Sequence, residues 1–111
     1  MKILRKKQKI GKMRLRITEP AKQRVKEIFD YYCTHASRDI AKMIISKLKK
    51  APKPLLENPL MGQQEPSLEA LKKEHRYLMS GNYKIIYRIE EDIIYITDYF
   101  DTRQHPLKKR T

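Results

Sequence analysis

The segment from Asn82 to Pro106 constrains the fold more than any other part of the chain. Tyr83-Lys84-Ile85-Ile86-Tyr87-Arg88-Ile89 and Ile93-Ile94-Tyr95-Ile96-Thr97-Asp98-Tyr99-Phe100 read as two strands joined by the acidic turn Glu90-Glu91-Asp92. Side chains alternate across a strand, so Tyr83, Ile85, Tyr87 and Ile89 share one face, and Lys84, Ile86, Arg88 and Glu90 share the other. The first face is a core; the second carries fixed positive charge. Ser80-Gly81-Asn82 is a turn signal that leads into this hairpin from an earlier extended run, Glu74 to Met79.

Upstream, the pattern changes period. Met13-Arg14-Leu15-Arg16-Ile17 alternates as a half-buried strand, and Thr18 then caps a helix that tolerates Pro20 in its first turn. Ala21, Val25, Ile28, Phe29 and Tyr32 form its apolar stripe. After His35-Ala36, Ser37 caps a second helix whose expected buried stripe is Ile40, Ala41, Ile44, Ile45 and Leu48. Pro52 and Pro54 stop that helix near Lys50, or let it restart through Leu55-Leu56-Glu57, because a proline in a helix interior loses a hydrogen bond and clashes with the preceding turn. Asn58-Pro59-Leu60-Met61-Gly62 reads as a turn and Gln63 to Ser67 as loop. Leu68 to Lys73 fits one helical turn or the lead into a strand. The order is strand, helix, helix, strand, strand, strand: an α+β fold with a two-helix hairpin on a twisted, mainly antiparallel four-stranded sheet.

A chain of 111 residues holds a single domain, expected over residues 13–109, with a basic arm at 1–12 and a short tail at 110–111. Met13 is a candidate for an original start. The formal charge of +13 points to anionic partners without specifying a fold. Its distribution says more: all thirteen acids lie between Ile17 and Thr102, where they face fourteen Lys and Arg, and the excess sits on the ends. Cys33 is the sole cysteine, so neither an intrachain disulfide nor a Cys metal cluster is available, and a reducing, cytoplasmic location is expected. The basic N-terminus lacks a following apolar stretch, and the apolar runs are too short to span a bilayer, so no membrane partner is expected.

The candidate site is cationic. Arg76, Lys84 and Arg88 on neighbouring strands, with Arg103 beyond the last, are expected to converge on one hollow able to hold a phosphate. The plainer alternative is a solvated, charged face. His105 stands beside this cluster, and an ordinary pKa of about 6.5 suits a general acid or base. Lys108 and Lys109 extend the candidate nucleic-acid contact. His35 and His75 lack metal-ligand spacing, and no metal or other cofactor is expected. Tyr83, Tyr87, Tyr95 and Tyr99 suit strand positions whose rings pack in or against the core, while Tyr77 or Tyr99, if exposed, would offer a ring to a base. The basic outer surface of the helix hairpin is either inert or a dock for an acidic partner.

The element order, Asn58-Pro59-Leu60-Met61-Gly62, the tyrosine-flanked strand from Gly81 to Ile89 and the closing Phe100-Asp101-Thr102-Arg103-Gln104-His105-Pro106 together resemble the RelE/ParE family of toxins from bacterial type II toxin-antitoxin modules. The resemblance covers Met13 to about Lys109. It implies two helices packed on an antiparallel sheet, and a cognate acidic antitoxin that wraps the toxin. Ribonuclease members cut mRNA on the ribosome without metal; ParE-like members share the fold, lack the catalytic set and poison DNA gyrase. By position, Lys84 matches the cation after the strand tyrosine, Arg76 an earlier-strand cation and Arg103 the terminal arginine, with His105 in place of a terminal acid. No tyrosine follows Arg103, which departs from the nuclease pattern. The readings that result are ribosome-dependent mRNA cleavage first, gyrase inhibition second and a non-catalytic basic nucleic-acid-binding module third.

Overall fold

A computed structural model describes residues 13–65 and 74–103. The arm at 1–12, the segment 66–73 and the end of the chain from 104, with His105, Lys108 and Lys109, lie outside the described residues.

The first strand, β1 (Arg14–Ile17), turns Leu15 and Ile17 inward and leaves Arg14 and Arg16 exposed. Thr18 both caps the first helix and ties it to the sheet. Its Oγ1 accepts from the Ala21 N–H at 3.4 Å, while its N–H and hydroxyl donate to the Ile96 carbonyl at 3.0 and 3.1 Å. Helix α1 (Glu19–His35) then buries Ala21 and Ile28, with Val25, Phe29 and Tyr32 packed beside them. Ser37 caps α2 (Arg38–Lys50) by accepting from the Ile40 N–H at 3.1 Å. The buried stripe of α2 is Ala41, Ile45 and Leu48; Ile40, expected inside, is 41% exposed. It sits about 100° round the helix from Ala41, past Ile44 and just outside the buried arc. The prolines end α2 at Lys50, and a 3-10 turn at Lys53–Leu56 drives Leu55 fully into the core.

The sheet has five strands in the order β1-β5-β4-β3-β2, formed with β2 (Gln63–Gln64), β3 (Arg76–Ser80), β4 (Tyr83–Glu90) and β5 (Ile93–Asp101). β1 runs parallel to β5 and the other pairs are antiparallel. The expected sheet therefore gains one strand: Gln63 and Gln64, read as loop, pair with Tyr77 and Arg76. Two polar residues show no alternation, so only the backbone ladder reveals them.

Both tight turns use left-handed backbone, at Gly81 (φ 60°) and Glu91 (φ 55°). The Gly81-Asn82 turn sets Ser80 opposite Tyr83, which fixes Arg76 opposite Tyr87. In β5, strict alternation after Ile94 and Ile96 would point Asp98 at the helices. A bulge prevents this: Ile86 pairs with Asp98 and Tyr87 with Ile96, so Thr97 is extra and donates its hydroxyl to the Ile86 carbonyl at 3.2 Å. Tyr99 is thereby delivered to the core, where it is fully buried with Ile85, Tyr87, Ile94 and Ile96.

β1 ends at Ile17, opposite Ile96, so the rest of β5 has no strand along its outer edge among the described residues. Asp98 covers part of that edge. Its Oδ1 accepts from the Tyr99 N–H at 2.8 Å and from Arg24 Nε at 3.0 Å.

Tyr87 joins the sheet to the 58–62 turn. Its buried hydroxyl donates to the Pro59 carbonyl at 2.7 Å and accepts from the Gly62 N–H at 3.0 Å. A Cβ on Gly62 would lie 2.6 Å from that hydroxyl and 2.7 Å from the Tyr77 carbonyl oxygen, so no larger residue fits. Tyr87→Phe leaves the Gly62 N–H and Pro59 carbonyl without this partner and is expected to cost about 1–3 kcal/mol. Gly62→Ala should cost more, because it adds a clash; urea unfolding midpoints of both variants check the order.

Candidate functional site

The strand register divides the four described candidate cations between two faces. Lys84 lies opposite Met79 and Phe100, and Arg88 opposite Tyr95, on the side of the sheet away from the helices. There, Lys84 Nζ sits 4.4 Å from the centre of the Tyr77 ring and binds Glu65 Oε1 at 3.0 Å. Arg88 lies over the Tyr95 ring at 4.6 Å and pairs with Glu90 at 2.6 Å. Both cations combine a ring face with a carboxylate, which neutralises and orients them together.

Arg76 and Arg103 belong to the helix side. Opposite the buried Tyr87, Arg76 pairs with Glu74 at 2.6 Å and donates to the Gly62 and Leu60 carbonyls at 2.8 and 3.4 Å. Arg103 grips both carboxylate oxygens of Asp101, at 3.1 and 3.0 Å, and donates to the Tyr32 hydroxyl at 2.8 Å. Those hydrogen bonds, to Asp101 first and then to Tyr32, raise the Arg103 pKa. Asp101 lies opposite Tyr83, whose hydroxyl donates to Tyr32 at 3.4 Å; burial and this contact push Tyr83 up. Tyr83 and Tyr87 are four residues apart on one strand, ~13 Å. Arg76 and Arg103 therefore serve different ends of β4.

The expected single hollow of four cations is thus not the arrangement seen. Each of the four engages a carboxylate, and they occupy two faces and both ends of the sheet. The register that separates them was within reach of the sequence, since a two-residue turn at Gly81-Asn82 already puts Arg76 opposite a core tyrosine. Glu65 holds Lys84, and Asp101 and Tyr32 hold Arg103; sequence pattern does not mark these three as partners. They are 19, 2 and 71 positions from Lys84, Arg103 and Arg103 respectively. Asp101, like Glu74 beside Arg76 and Glu90 beside Arg88, lies two positions from its cation, within reach of local pattern.

The tyrosines divide the same way. Tyr83, Tyr87 and Tyr99 are core residues, which takes Tyr99 out of consideration for stacking on a base, while Tyr77 and Tyr95 are half-buried beneath cations. Between α1 and the end of β5 lies a small cleft of about 230 Å³, bordered by Arg24, Glu27, Tyr31, Tyr83 and Asp101. A larger groove of about 690 Å³ runs between the helices, floored by Val25, Phe29 and Ile45 and rimmed by lysines, among them Lys42, Lys49 and Lys53. Among the described residues, no group of three or more His, Cys, Asp or Glu is placed to hold a metal ion. No helix among them is long and apolar enough to cross a membrane.

Comparison with known proteins gives matches of two kinds. A family model described as the ParE toxin of the type II toxin-antitoxin system, parDE, matches residues 15–106. Among solved structures, the chain is similar to one titled "Chromosomal ParDE TA system from P. aeruginosa", with a TM-score of 0.67 and 21% sequence identity over 82% of this chain and 97% of that one. The structural likeness speaks for the fold. A sequence search of curated proteins gives no match.

Tyr99 supplies a test of how the core is built. Its hydroxyl is buried and has no hydrogen-bond partner among the described residues, and burial pushes its pKa from 10 up to about 12. A tyrosine raised in the folded state favours folding below the unfolded pKa, so stability should be intact below pH 10 and fall as the pH climbs towards 12. Tyr99→Phe is expected to keep or gain stability at neutral pH and to lessen that alkaline loss, read from thermal melts across the pH range.

Proposed function

Since the chain belongs to the ParE toxin family of type II toxin-antitoxin systems, we propose that it arrests growth by binding and inhibiting DNA gyrase, without ribonuclease chemistry of its own. The observation that carries this reading over mRNA cleavage is the dispersal of Arg76, Lys84, Arg88 and Arg103 over two faces, each with a carboxylate in place. Attack of a 2′-hydroxyl on phosphorus needs cations already aimed at the charge that develops there. Here that would require several existing pairs to open at once and side chains from both sides of a sheet to meet. A protein that acts by contact needs no such assembly, only a rigid surface.

The same family membership gives the toxin a cognate antitoxin as partner. The lysine-rimmed groove between the helices supports an acidic antitoxin segment there, apolar residues meeting its floor and carboxylates its rim.

The test uses purified protein in two assays. Gyrase with ATP and relaxed plasmid should lose supercoiling activity as the protein is added, and mRNA on translating ribosomes should remain intact. Transcripts cut by the wild-type protein and spared by Arg103→Ala would restore the ribonuclease reading. Supercoiling that proceeds unchanged would remove the gyrase reading.

A further inference from the structure

Two of the three buried tyrosines have partners for their hydroxyls. Tyr87 bonds the Pro59 carbonyl and the Gly62 N–H, and the Tyr83 hydroxyl donates to that of Tyr32. Tyr99, which has no exposed surface, has no hydrogen-bond partner for its hydroxyl among the described residues. A buried polar atom in this state calls for an explanation, because nothing offsets its loss of water. Tyr99 belongs to the lining of the cleft between α1 and the end of β5, with three more aromatic residues, Tyr31, Tyr83 and Phe100. The charged residues of that lining are Glu27, Asp101 and Arg24, two acids against one base on a protein whose formal charge is +13. Arg24 is already engaged, through Nε with Asp98 and through Nη1 with Glu27. Glu27 uses Oε1 for that bond, and its Oε2 has no partner among the described residues.

The other face of the sheet shows what such a combination accepts. There, Lys84 lies against Tyr77 and Glu65, and Arg88 against Tyr95 and Glu90, so that a ring and a carboxylate share one cation. No lysine or arginine of the described residues lies over the ring of Tyr31, Tyr83 or Tyr99. We propose that the cleft between α1 and β5 is a binding site for an alkylguanidinium group, held by tyrosine rings, the Glu27 and Asp101 carboxylates and the Tyr99 hydroxyl. The group is flat, so one face stacks on a ring while its edge donates N–H groups to the carboxylates and the phenol oxygen. An anion would meet two acids, and an apolar ligand would leave the hydroxyl as it is. The size agrees: the cleft holds about 230 Å³, against roughly 150 Å³ for a cavity that admits benzene. Two sources carry such a group, an arginine side chain of a protein partner and a free small molecule such as agmatine. The site goes beyond the gyrase and antitoxin readings and depends on neither.

Titration of the full chain with N-acetyl-arginine methylamide, followed through the NMR signals of the tyrosine rings, tests this. Saturable shifts are expected, with a Kd on the order of 1 mM. The citrulline counterpart, alike in shape but uncharged, should give none. Tyr99→Phe removes the hydroxyl alone and Glu27→Gln one charge at the half-exposed rim. Each should weaken binding at least about fivefold, with the melting temperature close to that of the wild type. Asp39→Asn, which removes an exposed acid from the first turn of α2, should bind as the wild type does. Agmatine is titrated alongside: tighter binding of the arginine amide assigns the site to a protein partner, tighter binding of agmatine assigns it to a free ligand, and both uphold it. The inference is overturned if neither compound gives saturable shifts, if the citrulline compound binds equally well, if either folded variant keeps full affinity, or if Asp39→Asn loses as much as they do.

Discussion

A phenol at the centre of a sheet has to find partners for its oxygen, and Tyr87 shows how much can follow from meeting that requirement. Its ring belongs to the core with Ile85 and Ile96, while its hydroxyl is satisfied by the 58–62 turn on both its donor and acceptor sides. The turn is thus tied to the position of β4. Arg76, across the ladder from Tyr87, reinforces the tie from the neighbouring strand. The exit from α2, the 3-10 turn that buries Leu55 and the start of β2 all lie on the stretch of chain that leads into or out of this fastening. Glycine is required at position 62 because the phenol occupies the space that a side chain would need.

Charge is organised on a similarly local scale. The central part of the chain holds nearly equal numbers of acids and bases, and the fold turns that balance into pairs: Glu65 with Lys84, Glu74 with Arg76, Glu90 with Arg88 and Asp101 with Arg103. Each pair has one side chain largely shielded from water, so the cost of desolvation offsets much of its attraction. Their larger effect is on recognition, since a cation already engaged and stacked on a ring presents less bare positive potential to a passing phosphate. A scaffold of this kind does not by itself choose between RNA chemistry and protein inhibition; the side chains placed on it do.

Much of the scaffold could be read in the sequence because its signals are local. Thr18 and Ser37 cap helices where they should, Pro52 and Pro54 end α2, and the alternation from Tyr83 to Ile89 identifies the strand at the sheet's centre. The features that escaped depend on contacts distant in sequence or on irregular backbone. Gln63 and Gln64 become a strand only because β3 offers an edge, the Thr97 bulge changes which side chains of β5 face inward, and Ile40 falls just outside an arc defined by the packing of α2. The candidate site suffered most. Its expected convergence assumed that cations on adjacent strands share a face, whereas the Gly81-Asn82 turn sets Arg76 and Lys84 on opposite sides.

The open stretch of β5 has a consequence for the behaviour of the free protein. A sheet margin with idle backbone groups is a template on which copies of a chain can add strand to strand, the route by which β proteins polymerise. In this fold, Asp98 occupies the Tyr99 N–H on that margin, sets a carboxylate in the path of an incoming strand, and is itself held by Arg24 from α1. Among the described residues, Asp98 and the arginine that steadies it thus stand against fibrous self-assembly along this margin.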